Sequence, residues 1–236
     1  MPRRDENQSV MVTGVDRGIG LGLVRHYAKQ GCAVWATTRR DRAGEALTAL
    51  TERHNGLRVV RLDCSNQSSI TGLGQQLQAE GVALDLAINN AGISLEQPFG
   101  QWTAEHFASH FMVNTIAPAL IVQAIQPVLK PGSTVIQMSS GMASAEYNVN
   151  ADAPLDAYAA SKSALNLLTR RLAEKLRPDR VALVAMSPGW VQTEMGGEGA
   201  TDTVEEAVKK MTTTIAGLSL DDTGRFIGPA GGALAW

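Results

Sequence analysis

Short apolar runs rich in β-branched residues alternate with stretches of helical periodicity, and this alternation restricts the fold more than any other feature. Ser9 to Thr13 is the first such run. A glycine-rich turn follows, and Ile19, Leu23, Val24 and Tyr27 then recur at helical spacing up to Gly31. Further strands are expected at Cys32 to Thr37, Leu57 to Leu62, Leu84 to Asn89, Ser133 to Met138 and Val181 to Met186, with a short last one at Arg225 to Ile227. Helices are expected at Asp41 to His54, at Gln67 to Glu80 (weakened by Gly72 and Gly74), at Thr103 to about Leu129 and at Leu155 to Leu176. Val204, Val208, Met211 and Ile215 line one face of a last helix. Pro118 should kink the long helix it interrupts, because proline lacks the N–H donor and crowds the preceding turn. Strand and helix in regular alternation mean a parallel sheet covered on both faces. Nothing resembles a linker or a repeat, so residues 1–236 are expected to form one doubly wound α/β domain.

Composition narrows the class of function. Of the residues, 44% are hydrophobic and 19% charged, which is the balance of a globular chain. The net charge of -2 offers no basic excess for nucleic acid or an anionic membrane. No run of about 18 apolar residues is apparent for a bilayer span. Met1 to Ser9 has no apolar core of its own and does not read as a signal peptide, and the low count of two cysteines, expected to be free, carries the expectation of cytoplasmic residence. Cys32 and Cys64 fall at opposite ends of neighbouring parallel strands, too far apart for a disulfide, and should be free thiols. His26, His54, His106 and His110 fall on helices away from strand ends. His106 and His110 share a face, but no third ligand is spaced to help, so no metal is expected and solvated helix faces are. Trp35 and Trp102 read as packing residues.

Thr13-Gly14-Val15-Asp16-Arg17-Gly18-Ile19-Gly20 sits between the first strand and the first helix, where a glycine motif carries chemistry. Glycines there let the backbone turn tightly and let a pyrophosphate approach, and the helix N-terminus supplies free N–H groups and a partial positive charge. The end of the second strand separates the two dinucleotides. It reads Thr37-Thr38-Arg39-Arg40, with no carboxylate to hold ribose hydroxyls. Arg39, with Thr38 beside it and Arg17 in the glycine turn, suits a 2′-phosphate. Asp16 and Asp41 are the competing partners for these arginines.

Further motifs follow in order: Asn89-Asn90-Ala91-Gly92 ending the fourth strand, Asn114 in the next helix, Ser139-Ser140-Gly141 ending the fifth strand, Tyr158-Ala159-Ala160-Ser161-Lys162 opening a long helix, and Pro188-Gly189-Trp190-Val191-Gln192-Thr193 after the sixth strand. From about Ser9 to Thr193 the chain resembles the short-chain dehydrogenase/reductase family, and within it the small C-factor-like and carbonyl-reductase-like members. The resemblance implies a Rossmann-type fold with a seven-stranded sheet in the order 3-2-1-4-5-6-7. Together with the Thr38-Arg39 strand end it points to NADP(H), with NAD(H) less suited. Gly14, Gly18 and Gly20 would then hold the pyrophosphate, with Ile19 beside it. Asp63 and Cys64 would sit at the adenine, and Asn90, Ala91 and Gly92 along the adenosine and ribose. Pro188, Gly189, Val191 and Thr193 would cradle the nicotinamide carboxamide, with Trp190 walling that pocket. Asn114, Ser140, Tyr158 and Lys162 match the catalytic tetrad, Ser139 being the alternative serine. Tyr158 and Lys162 also reach the cofactor. The resemblance further implies a homodimer or homotetramer, pairing helices that carry Ile116, Leu120, Ile121 and Ile125 on one and Leu165, Leu167, Leu168 and Leu172 on the other.

The chemistry agrees with the pattern. Tyr158 and Lys162, four residues apart, share one helix face. The Lys162 ammonium and an oxidised nicotinamide ring nearby favour the phenolate and should lower the tyrosine pKa. Tyr158 can then give a proton to a carbonyl oxygen or take one from an alcohol, with Ser140 bonded to the same oxygen. Asn114 would anchor a water leading from Lys162 to solvent. The expected activity is an NADP(H)-dependent carbonyl reductase or alcohol dehydrogenase acting on a small molecule. The competing expectation is a nucleotide-binding regulatory protein with little turnover. Ser140 and Tyr158 are 18 residues apart, more than in many family members. The extra length, Met142 to Pro154, holds Glu146, Tyr147, Asn148, Asn150 and Asp152. It should shape the substrate pocket more than the segment after Thr193 does.

Overall fold

Strand β1 (Ser9–Thr13) lies in the middle of a parallel sheet, so its side chains alternate between two buried faces. Val10 and Val12 point into one apolar layer and Met11 into the other, and all three are fully buried. The computed structural model describes residues 8–236, and the expectation for the first seven residues lies outside the described part. On one side β1 pairs with β2 (Ala33–Thr38), and β2 with β3 (Leu57–Arg61). On the other side come β4 (Leu84–Asn89), β5 (Leu129–Met138), β6 (Ala182–Met186) and β7 (Phe226–Ile227). All seven run parallel, in the expected order 3-2-1-4-5-6-7.

Helices α1 (Gly18–Lys29) and α2 (Glu45–Arg53) cover one face. Helices α3 (Gln67–Ala79), α4 (Ala104–Phe111), α5 (Ala117–Ile125) and α6 (Asp156–Leu176) pack on the other, and α7 (Val204–Ile215) joins α1 on the first. The strand order reverses between β1 and β4. Chains leaving their C-terminal ends diverge there and open the crevice where ligands of such sheets bind.

The long helix expected from Thr103 is a composite. After α4 the chain makes a π turn over Met112–Ile116, resumes as α5, and ends in a 3-10 turn over Gln126–Val128. The irregularity therefore lies in the turn before Pro118, which is the second residue of α5. The reason is local: the α-helical donor for the Asn114 carbonyl would be the N–H of residue 118, which proline does not have. Contrary to the sequence expectation, residues 104–128 together are long and apolar enough to cross a membrane by length and composition. Here that stretch packs against α3 and α6 and buries the polar His110, Asn114 and Thr115, as the core helix of a globular fold does.

Gly74 also departs from expectation. A Cβ there would lie 2.4 Å from the Ala124 carbonyl oxygen of α5, so the glycine permits close packing of α3 on α5 rather than merely weakening α3. Gly72 has nothing within 4 Å. The two should respond oppositely to alanine. Gly72→Ala should stabilise by about 0.5–1 kcal/mol through reduced unfolded-state entropy. Gly74→Ala should cost about 1–3 kcal/mol through overpacking. Urea unfolding midpoints of the two variants check this. An equal gain from both would mean that α3 and α5 do not approach as described.

Cys32 precedes β2 and Cys64 follows β3. The register Val34↔Leu57 to Thr38↔Arg61 keeps them at opposite ends, and both are free thiols as expected.

Candidate active site

At the C-terminal end of β1 the backbone turns through Gly14, whose φ of +69° lies in the left-handed region. Its N–H and that of Val15 donate to the Thr37 carbonyl, and the Asn90 amide donates to the carbonyls of Thr13 and Gly14. The Ala91 N–H bonds the Thr13 hydroxyl, so the segment after β4 is stitched to the turn. Gly20 is required by contact: a Cβ there would sit 2.2 Å from the Gly14 carbonyl oxygen. Helix α1 then begins without a side-chain cap at Arg17 and with no acidic residue in its first turn. Helices α3, α4 and α7 begin with capping by Asn66, Thr103 and Thr203. An uncapped helix start behind a glycine turn leaves N–H donors and a positive dipole end available to an anion.

The rim at the end of β2 separates the candidate cations. The Thr38 hydroxyl is buried, donates to Asp16 at 2.6 Å and accepts from the Arg40 N–H. Arg40 leans on the same Asp16 carboxylate at 3.8 Å, and Asp41 pairs with Arg61 at 2.8 Å. Both competing carboxylates are thus engaged elsewhere. Arg39 stays exposed and forms no ion pair among the described residues, although its charge is felt by Asp63. Hydrogen bonds from the Ser65 hydroxyl and N–H hold the Asp63 carboxyl below its ordinary pKa. Burial pushes the neighbouring Cys64 thiol up to about 11, which keeps it an unreactive thiol. Arg17 is paired with Glu194, and the Thr193 methyl lies 3.3 Å from where a Cβ on Gly18 would be. The segment after β6 therefore closes over the glycine turn. Within it Gly189 has φ +82°, and Val191 is buried and bridged to Asp202. Pro188 precedes that turn.

Ser140, Tyr158, Lys162 and Asn114 come together where β5 ends. Ser140 starts the 3-10 turn Gly141–Ala143, where its hydroxyl accepts from the Met142 N–H at 3.2 Å, and it lies close enough to Tyr158 to lower that phenol's pKa. Ser139 instead turns into the core and bonds Asn166 at 2.6 Å, which separates the two serines. Lys162 is buried, and its Nζ donates to the Met138 carbonyl at 2.7 Å and lies 5.9 Å from the Tyr158 ring centroid. Burial pushes the Lys162 ammonium down to about 8. It pushes the Tyr158 phenol up, opposed by the neighbouring Ser140 side chain. The protein groups alone therefore do not give the lowered phenol expected with the nicotinamide charge added. Lys162 is itself desolvated and bonded to Met138, and removal from water is the larger cause at the phenol.

Asn114 is fully buried with its side chain spent. Its Oδ1 accepts from the Ile93 N–H at 2.9 Å, and its Nδ2 donates to the Ile93 carbonyl at 2.8 Å and to Ser161 at 3.0 Å. A Cβ on Gly92 would lie 3.2 Å from this Oδ1 and 3.5 Å from Lys162 Nζ, so Gly92 leaves open the space beside both. The Asn114 backbone carbonyl lacks the α-helical donor four residues on, because that residue is Pro118.

Three supporting residues escaped the sequence reading. Ser161 accepts from Asn114, donates to the Tyr158 carbonyl, and takes the Thr115 hydroxyl on its own carbonyl. Its signal was present, one residue before Lys162. His110 is fully buried rather than solvated. Its Nε2 accepts from the Leu95 N–H at 3.0 Å while Nδ1 bonds the His106 carbonyl, so the neutral ring pins the segment after β4. Burial lowers its pKa accordingly. Pro154, in the long Met142–Pro154 segment, accepts from the Gln97 N–H and joins that segment to the one after β4. Trp190 is half exposed and donates to the Gly196 carbonyl at 2.7 Å. Trp102 likewise lies half exposed between Phe99 and Phe107, whereas Trp35 is core.

Comparison with known proteins extends this picture. A family model described as Enoyl-(Acyl carrier protein) reductase matches residues 14–227. The C-signal protein of Myxococcus xanthus is 35% identical over 161 residues, covering 65% of this chain and 93% of that protein. A 1-hydroxy-2-glutathionyl-2-methyl-3-butene dehydrogenase of Rhodococcus sp. (strain AD45) is 27% identical over 97% of this chain and 99% of its own. The crystal structure of an NADPH-bound carbonyl reductase from chicken fatty liver superposes with a TM-score of 0.90 at 33% identity, covering 97% of this chain and 99% of that one.

Proposed function

This chain belongs to the short-chain dehydrogenase/reductase family, and on that premise we propose that it is an NADP(H)-dependent carbonyl reductase in which Tyr158 is the general acid and base. The observation that carries the reading is the convergence of Ser140, Tyr158 and Lys162 at the end of β5, beside an uncapped α1 and an arginine rim. The donor set suits a phosphorylated dinucleotide. Gly14, Gly18, Ile19 and Gly20 would take the pyrophosphate, and Arg39, with Arg17 released from Glu194, the 2′-phosphate. Asp63 and Cys64 would face the adenine, and Asn90, Ala91 and Gly92 the ribose side. Pro188, Gly189, Val191 and Thr193 would hold the carboxamide. Bound NADPH supplies the hydride. Tyr158 holds the substrate oxygen with Ser140 and passes it the phenolic proton. Lys162 restores that proton by way of a water on the Asn114 carbonyl.

A panel of aldehydes and ketones with NADPH and NADH side by side tests the reading. Carbonyl-dependent oxidation of NADPH, faster than of NADH, is expected. No turnover on any carbonyl would favour the regulatory alternative, which nothing in this site specifically supports.

The whole chain is read as one cofactor-binding domain, so limited proteolysis should release no stable fragment. Cytoplasmic residence, to be checked by cell fractionation, fits the same reading. A second copy of the chain is the expected partner. Of the residues offered for that contact, Ile121, Ile125 and Leu165 turn out to be buried within one protomer. Ile116 and Leu167 remain 44% and 61% exposed and carry the proposal. Light scattering at micromolar concentration should give two or four times 25.1 kDa. A monomer mass would refute it.

A further inference from the structure

The three segments that leave β4, β5 and β6 at the crevice, residues 90–103, 139–155 and 187–203, contain six carboxylates and not one Lys, Arg or His. The chain as a whole carries 21 Lys and Arg against 23 Asp and Glu, so an all-acidic set on three segments that meet at one sheet edge is a local property. Glu194 is engaged by Arg17 and Asp202 by Lys210. Glu96, Glu146, Asp152 and Glu198 form no ion pair among the described residues.

The same segments hold much of the exposed large apolar surface. Leu95 and Phe99 follow β4, with Phe99 84% exposed and edge-on to Trp102. Tyr147 and Val149 project from the segment after β5, and Met195 from that after β6. The Gln97–Pro154 bond ties the first two segments together, and His110 fixes the first through Leu95. The polar groups at the floor, Ser140 and Tyr158, are enough for one carbonyl oxygen. An anionic group elsewhere on the substrate would find no countercharge on these three segments, would lose hydration against apolar side chains, and would be repelled by the unpaired carboxylates.

From this mouth we infer that the substrate is an apolar, preferentially aromatic carbonyl compound of zero or positive charge. Carboxylates, phosphates and the phosphate-bearing thioesters of coenzyme A or carrier proteins are excluded. The inference rests on the carbonyl reductase reading and adds a charge rule to it.

The test uses three aldehydes that differ in charge: methyl 4-formylbenzoate, 4-formylbenzoate and 4-(trimethylammonio)benzaldehyde. For each, kcat/KM with NADPH is divided by the rate of reduction by borohydride, which removes intrinsic reactivity. The ester and the cation should exceed the carboxylate by about tenfold or more, and added salt should narrow the gap by screening. E146K/D152K should move the ratio toward the carboxylate. A carboxylate reduced as well as the ester, or a gap that salt leaves unchanged, overturns the inference. Binding of the same compounds to the NADP⁺-loaded protein, measured by equilibrium dialysis, needs no turnover. If no aldehyde is reduced, the reductase reading fails while the charge rule still stands or falls on these dissociation constants. Failure to bind any of the three overturns it, and so does tighter binding of the carboxylate.

Discussion

Tyr158→Phe should lower carbonyl reduction by about a hundred- to ten-thousand-fold while leaving the fold and NADPH affinity in place. The substitution deletes one hydroxyl and keeps the ring, so packing at the start of α6 survives. The lost group is the phenol beside Ser140, which in the proposed mechanism passes its proton to the substrate oxygen. The glycine turn and Arg39 are untouched. Lys162→Ala should be comparably harmful and should also weaken NADPH binding, which separates it from the tyrosine variant. It leaves the Met138 carbonyl without its donor as well, at a cost of about 1–3 kcal/mol in stability. In the wild type, Lys162 is charged below its folded pKa of about 8 and neutral above it. The reductive rate should therefore hold up to that region and fall as pH rises through it. Retention of more than about a tenth of wild-type turnover by Tyr158→Phe would remove the tyrosine from the mechanism.

Arg39→Asp should move the relative affinity for NADPH over NADH by roughly a hundredfold toward NADH, the size of one charged contact exchanged for repulsion. The structure sharpens this expectation. Asp16 is taken by Thr38 and Arg40, and Asp41 by Arg61, so neither carboxylate neutralises Arg39. The new carboxylate would also stand in the region where Asp63 already carries a negative charge. Fluorescence titration with each nucleotide reads the change. Equal binding of NADPH and NADH by the wild type would show that this rim does not select a phosphate. Arg40→Asp should have the smaller effect, since Arg40 already leans on Asp16.

Much of the fold was legible because its information is local. Alternation of apolar runs marks strands, 3.6-residue spacing marks helices, and βα units joined in series leave few topologies open. β1 and β4 have the predicted bounds, and the sheet order follows. The glycine turn, the bare Thr38-Arg39 rim and the Tyr158–Lys162 spacing were legible for the same reason. Each is a short motif whose neighbours in sequence are its neighbours in space. The 3-10 turn at Gln126–Val128 and the early start of β5 at Leu129 were not, because the apolar pattern runs on without a break across both.

What only the tertiary structure decided is the choice of partners. Arg17 meets Glu194 across 177 residues of sequence, and the Asn114 side chain is consumed by Ile93 and Ser161, 21 and 47 residues away. His110, on a helix face that reads as solvated, is buried because the backbone of Leu95 needs an acceptor there. Gly74 is set by a carbonyl on another helix. The pKa values of Tyr158 and Lys162 depend on how completely the folded chain removes them from water. Periodicity tells a residue which face it occupies. Desolvation and hydrogen bonding depend on what the rest of the chain brings to that face, and no pattern within a single element carries it.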